Sequence, residues 1–161
     1  MIRSNAERTS VLLSVKPKFA RALIAGTKTI EVRRRFPSLE TGTAVFVYSS
    51  APDSAIIGVL AACRVFTAPS TSLFDTHGSF LDASQEELDS YLRGTRDARL
   101  LEVSKGQPMN SPISLRTLRR MGIDAPQSYR WLSRGATIAL RREGWPESAA
   151  HHNAAPEVTS T

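Results

Sequence analysis

A single cysteine, Cys63, stands in 161 residues, so the chain can close no internal disulfide and build no cysteine-cluster zinc site. Aromatic residues are scarce, at 7%. The longest apolar run, Ala55 to Cys63, falls far short of the roughly 20 residues that span a bilayer. The opening MIRSNAERTS has no apolar stretch of the kind a secretion signal needs. The three histidines give no ligand set: His77 is isolated, and His151 and His152 have no third partner nearby. These absences predict a cytoplasmic protein with no membrane contact, no metal and no cofactor. Cys63, inside an apolar run, reads as an inert core residue.

What is present suits one domain with a tail. The composition, 41% hydrophobic and 22% charged, is that of an ordinary globular core large enough to fold unaided. The net charge of +6 is unevenly spread. Residues 1–43 carry nine Lys/Arg against three acids, and residues 111–143 carry seven against two. The stretch 44–110 is acidic, with five against eight, and the last eighteen residues hold two acids and no Lys/Arg. If folding joins the basic blocks, they form one positive face suited to phosphates; scattered solvated charge is the alternative.

Local patterns predict the elements. Val11–Val15 has strand length, Pro17 fits a first helical position, and Gly26 ends a helix over 17–25. From Lys28 to Arg35 the residues alternate, with Ile30 and Val32 on one face and Glu31 and Arg33 on the other. Ala44–Ser49 and Ala55–Phe66 read as strands of a hairpin, with a bulge or bend at Gly58. Residues 69–76 suit one helical turn. Ser84 and Glu87 make a capping box for a helix over 85–93. Leu100–Val103 reads as a strand, 113–120 leads into a short helix, 126–132 as a second helix, and Thr137–Leu140 as a last strand. The expected organisation is a flexible N-terminus over 1–10, a domain over 11–143 and a disordered tail over 144–161.

The ordered set Lys16, Pro17, Gly26, Lys28, Thr29, Glu31, Arg33, Tyr48 and Ser50 resembles the signature of the ASCH domain family of the PUA-like superfamily. The segment PISLRTLRRMGIDAPQSYRWL is similar to the C-terminal part of many members. The Gly-x-Lys-Thr piece is no phosphate loop, because the glycine-rich loop is missing and a strand follows it. The resemblance covers about residues 11–132. It implies an α+β fold: a small mixed PUA-like β-barrel of five or six strands with short flanking helices and a cleft beside the first helix. It also implies RNA or a nucleotide or nucleoside as ligand, modified nucleotides included. In the amidohydrolase branch of the superfamily a threonine three residues after the lysine serves as nucleophile. Here that position is Glu31, and neither Asp75 nor Asp82 has clear spacing for the acid, so amide hydrolysis of that kind is not expected.

The candidate ligand-binding residues are Lys16, Lys28, Glu31, Arg33, Arg35, Tyr48, Ser50, Gln127, Ser128 and Tyr129. Lys16 precedes a helix N-terminus, where backbone N–H groups favour anions. Glu31 can accept from a base, and Arg33 can grip a phosphate; a plain ion pair is the alternative. Tyr48 suits a stacking platform or a core edge. Arg34, Arg116, Arg119, Arg120 and Arg130 are candidates for a nucleic-acid backbone. The leading expectation is a binding module for RNA or a modified nucleotide. A metal-independent hydrolase of RNA or a nucleoside, with Lys28 and Glu31 passing protons, is the alternative. A DNA-binding helix-turn-helix over 113–134 is the third reading.

Overall fold

The computed structural model describes residues 8–146. Six strands and five short helices follow in the order β1 (Ser10–Val15), α1 (Pro17–Ala25), β2 (Ile30–Arg33), β3 (Ala44–Ser49), β4 (Ala55–Pro69), α2 (Leu73–His77), α3 (Gln85–Tyr91), β5 (Asp97–Ser114), α4 (Leu115–Arg120), β6 (Tyr129–Leu132) and α5 (Arg134–Gly144), with a 3-10 turn at Gly78–Phe80. The strands form one mixed sheet in the order β2-β5-β4-β3-β1-β6. Only β1 and β3 pair in parallel. The α+β class holds, but the sheet is open and has two edges, so it is not a closed barrel.

Alternation in the central strands decides the layers. Val11, Leu13 and Val15 of β1, with Val45 and Val47 of β3, pack under Ala20 and Leu23 of α1. Leu12, Phe46 and Tyr48 point the other way and meet Leu118 of α4 and Leu140 of α5. Period-two side-chain direction thus places α1 on one face of the β1–β3 pair and α4 and α5 on the other. A third cluster joins Ile30 and Val32 of β2 to Leu73, Leu81 and Leu88. Gly58 is needed for close approach, since a Cβ there would lie 2.5 Å from the Gln107 carbonyl oxygen and 2.7 Å from Ile24 Cδ1. The β3–β4 register shifts beside it, between Val47 and Tyr48, as the bulge expectation requires.

Three local expectations are corrected. Tyr129–Leu132 is a strand, paired antiparallel with Ser10–Leu13: its alternation serves the free edge of β1, and tertiary pairing overrides helix propensity. The DNA-binding helix-turn-helix therefore has no second helix at 126–132. Thr137–Leu140 lies within α5, where Ser133 Oγ accepts from the Ala136 N–H as N-cap. Thr137 and Leu140 are buried at helical i, i+3 spacing. Finally, Gly144 closes α5 and is buried, and Trp145 packs on the second cluster. The tail expected from residue 144 otherwise falls on 147–161, outside the described residues. No helix among the described residues is long and apolar enough to cross a membrane.

Candidate functional site

One end of the sheet opens into a cleft of about 730 Å³. Its walls come from the end of β1, the start of α1, β2, the 81–91 segment and residues 127–128. Lys16, Lys28, Glu31, Arg33, Ser50, Gln127 and Ser128, all named from the sequence, line this one cavity. Lys28 is delivered by the end of α1. Gly26 takes the left-handed C-cap, and the Lys28 N–H then donates to the Ala22 carbonyl, folding the chain back beneath the helix.

At the cleft floor lies a buried charged trio. Lys28 Nζ donates to the Leu81 carbonyl at 2.6 Å and sits 5.0 Å from the Phe19 ring centroid. It lies 3.7 Å from Glu31 Oε2. Glu31 Oε1 accepts from Arg33 Nε at 3.2 Å. Arg33 also donates from Nη2 to the Ser14 carbonyl and from Nη1 to Ser128 Oγ. The three residues are 4%, 7% and 9% exposed. The polar face of β2 is therefore closed over rather than open to water. Burial pushes the Lys28 ammonium below its ordinary pKa of 10.5, against the pull of Glu31 and Asp82 and with a smaller push from Arg33. Glu31 Oε2 is buried and, among the described residues, has no hydrogen-bond donor, with Lys28 Nζ its ion partner at 3.7 Å. A carboxylate oxygen is an acceptor only, so this is an unmet demand for an N–H or O–H group.

Other sequence candidates lie elsewhere. Tyr48 is 5% exposed inside the second cluster, because β3 alternation aims it away from α1. Tyr129 packs edge-on against Phe36, with centroids 5.1 Å apart. Arg35 is exposed. Arg34 donates twice to the Tyr91 carbonyl, at 2.9 and 2.6 Å, and so ties the end of α3 to β2. Arg116, Arg119 and Arg120 are exposed on α4, across the β1–β3 pair from α1, and Arg119 Nε meets Asp124 Oδ1 at 3.1 Å. Arg130 lines a separate hollow of about 670 Å³ beside α5. The α4 arginines thus lie across the β1–β3 pair from α1, whereas Arg8 of the first basic block stands 5.6 Å from the ring centroid of Trp131, beside Arg130 of the second. Among the described residues, no three His, Cys, Asp or Glu side chains are grouped to hold a metal ion.

The cleft also holds residues the sequence reading passed over: Ser14, Lys18, Phe19, Leu81, Glu87 and Tyr91. Ser14, the one polar residue in VLLSV, was a readable signal: its Oγ donates to the Pro126 carbonyl at 2.5 Å and its N–H to the Ser128 carbonyl at 2.9 Å, which brings 126–128 to the cleft. Glu87 was legible as a cap, but its reach across to Lys18 was not.

No family model matches the chain. An ASCH domain-containing ribonuclease from Zymomonas mobilis is 29% identical over 136 residues, covering 83% of this chain and 91% of that protein. The crystal structure of ASCH from Zymomonas mobilis superposes with a TM-score of 0.78 at 29% identity, over 83% of this chain and 94% of that one. The DUF55 domain of human thymocyte nuclear protein 1 shares the fold alone, at 13% identity and a TM-score of 0.52 over 82% of this chain and 95% of that one.

Proposed function

We propose that the chain is an ASCH domain protein, as its likeness to the Zymomonas mobilis protein supports, and that it acts on RNA, taking a nucleotide of a single strand into the cleft and cleaving beside it with Lys28 and Glu31. The observation that carries this reading is the pair itself: a buried ammonium 3.7 Å from a carboxylate oxygen that lacks a hydrogen-bond donor among the described residues, on the floor of a cleft. The name of the Zymomonas mobilis relative, a ribonuclease, supports it.

The chemistry needs two proton transfers. The ribose 2′-oxygen attacks phosphorus and gives its proton to the Glu31 carboxylate. The bond from phosphorus to the 5′-oxygen breaks, and that oxygen takes a proton from the Lys28 ammonium. The products are a 2′,3′-cyclic phosphate and a free 5′-hydroxyl. Proton return from Glu31 to Lys28 restores both groups. Burial makes the Lys28 ammonium a better acid than a solvated lysine, and general acid–base catalysis of this kind contributes about 10²–10⁴-fold. Arg33 holds the Glu31 carboxylate in place through Oε1.

A second reading has its own observation. Lys28 is tied to the Leu81 carbonyl and Arg33 to Ser14 and Ser128, a fixed lining that suits recognition of a base without turnover. Incubation with a single-stranded RNA oligomer, followed by analysis of product ends, separates the two. Cleavage to 2′,3′-cyclic phosphate ends that disappears in Glu31→Gln supports the ribonuclease reading. Tight binding with intact RNA favours recognition alone, and no binding at low salt overturns both.

A further inference from the structure

The rims of the cleft carry opposite charge. On one rim, α1 begins with Pro17 at its first position, no side-chain cap and no acid in its first turn. The unpaired N–H groups of that turn make a partial positive charge, and Lys16 and Lys18 flank it. On the facing rim stands Glu87 of α3, with Oε1 3.5 Å from Lys18 Nζ although 69 residues separate the two. Glu87 is held there by its own helix: its Oε2 accepts from the Ser84 N–H at 3.1 Å, and its N–H donates to Ser84 Oγ at 3.1 Å. That backbone hydrogen bond is the main cause holding its carboxyl below the usual range, with Lys18 and Lys16 adding to it.

A second observation comes from the floor of the same cavity. The Glu31 side chain is nine-tenths buried and, among the described residues, its Oε2 has no hydrogen-bond donor. A ligand that answers both ends carries an anion at the rim and an N–H or O–H group below it. A nucleotide, with its phosphate and its base or ribose, has that layout.

We infer that the uncapped start of α1, with Lys16 and Lys18, is a phosphate subsite of the cleft, and that Glu87, by pairing with Lys18, competes with a phosphate for it. This rests on the RNA reading and deepens it by naming the phosphate contact and its competitor. Displacement is easy, because the Lys18 and Glu87 side chains are 61% and 48% exposed and such a pair holds weakly. The capping box keeps Glu87 on α3 when Lys18 leaves it, so the exchange needs one lysine to swing and no helix to move. The negative rim also disfavours strands that present phosphate to α3, which gives the bound strand one orientation.

Glu87→Gln tests this cleanly, since glutamine also serves at the third position of a capping box. Binding of a single-stranded RNA oligomer is measured across salt concentrations for the wild type, Glu87→Gln, Lys18→Gln, the double variant and Asp89→Asn, an acid of α3 outside the cleft lining. Glu87→Gln should tighten binding several-fold and steepen the log–log salt slope by about 0.7, one single-strand phosphate contact. Lys18→Gln should cost more in the Glu87→Gln background than in the wild type. Equal effects of Glu87→Gln and Asp89→Asn, or a Lys18 effect that is the same in both backgrounds, overturn the subsite while leaving RNA binding standing. Inorganic phosphate is the second probe. Amide shifts at Lys18 and Phe19 that appear at lower phosphate in Glu87→Gln support the subsite even if RNA fails to bind, and no shift there overturns it.

Discussion

The two faces of the β1–β3 pair are both buried, and they are buried for different ends. On the α4–α5 face Leu12, Phe46, Ile56, Leu118 and Leu140 have no exposure at all and pack in one apolar cluster. The α1 face begins in the same way, with Val11, Leu13, Val45 and Val47. At the strand ends it gives way to three buried charges. Apolar burial stabilises by about 1.5–3 kcal/mol per large side chain, whereas removing an ion from water costs several kcal/mol that pairing only offsets. A sheet that can close one face with leucine and phenylalanine has no need of Lys28, Glu31 and Arg33 for stability. That difference is what supports the proposal that the cleft, and not the apolar face, is the working part of the fold.

The comparison breaks most visibly on the apolar face. Phe46→Ala should cost roughly 3–5 kcal/mol through lost transfer energy and the cavity left behind, read by urea denaturation, with RNA cleavage per folded molecule unchanged. Within the cleft the cost depends on which charge goes. Glu31→Leu leaves Lys28 and Arg33 buried without a counter-charge and should cost about 3 kcal/mol. Lys28→Met removes a buried charge and leaves Glu31 paired with Arg33, so its stability should stay within about 1 kcal/mol of wild type. That asymmetry inside one ion pair sharpens the contrast with the apolar face, where every truncation costs.

A pH series gives a smaller effect of known sign. The Lys28 pKa is lowered in the folded state, so between that value and the unfolded value near 10.4 the unfolded chain binds more protons. The stability of the wild type relative to Lys28→Met should therefore rise with pH through that window. Cleavage should fall over the same range, because the leaving oxygen loses its acid. Smallest of all, Arg119→Gln breaks an exposed pair with Asp124 and should change stability by no more than about 0.5 kcal/mol.

Much of this was legible in the residues. The Lys-Pro start and Gly26 stop bounded α1, and the alternation from Lys28 to Arg35 put Glu31 and Arg33 on one face of β2. Ser84 and Glu87 marked α3. Short segments whose state depends on a distant partner were misread. Tyr129–Leu132 becomes a strand because β1 offers an edge more than a hundred residues earlier, and Thr137–Leu140 is helical because Ser133 caps it and the second cluster receives its apolar side. Period two correctly named Tyr48 as a strand residue but could not say which face carries the cleft. Burial of the charged face of β2 was hidden for a related reason, since the residues that cover it, Phe19, Leu81 and Ser128, come from three separate parts of the chain.

The central claim is that the buried Lys28–Glu31 pair passes protons during RNA cleavage. Initial cleavage rates of one single-stranded RNA oligomer, measured for wild type and Lys28→Met at equal concentrations of folded protein, test it most directly. The account predicts a loss of at least about 100-fold with the fold retained; cleavage by Lys28→Met at the wild-type rate would contradict it.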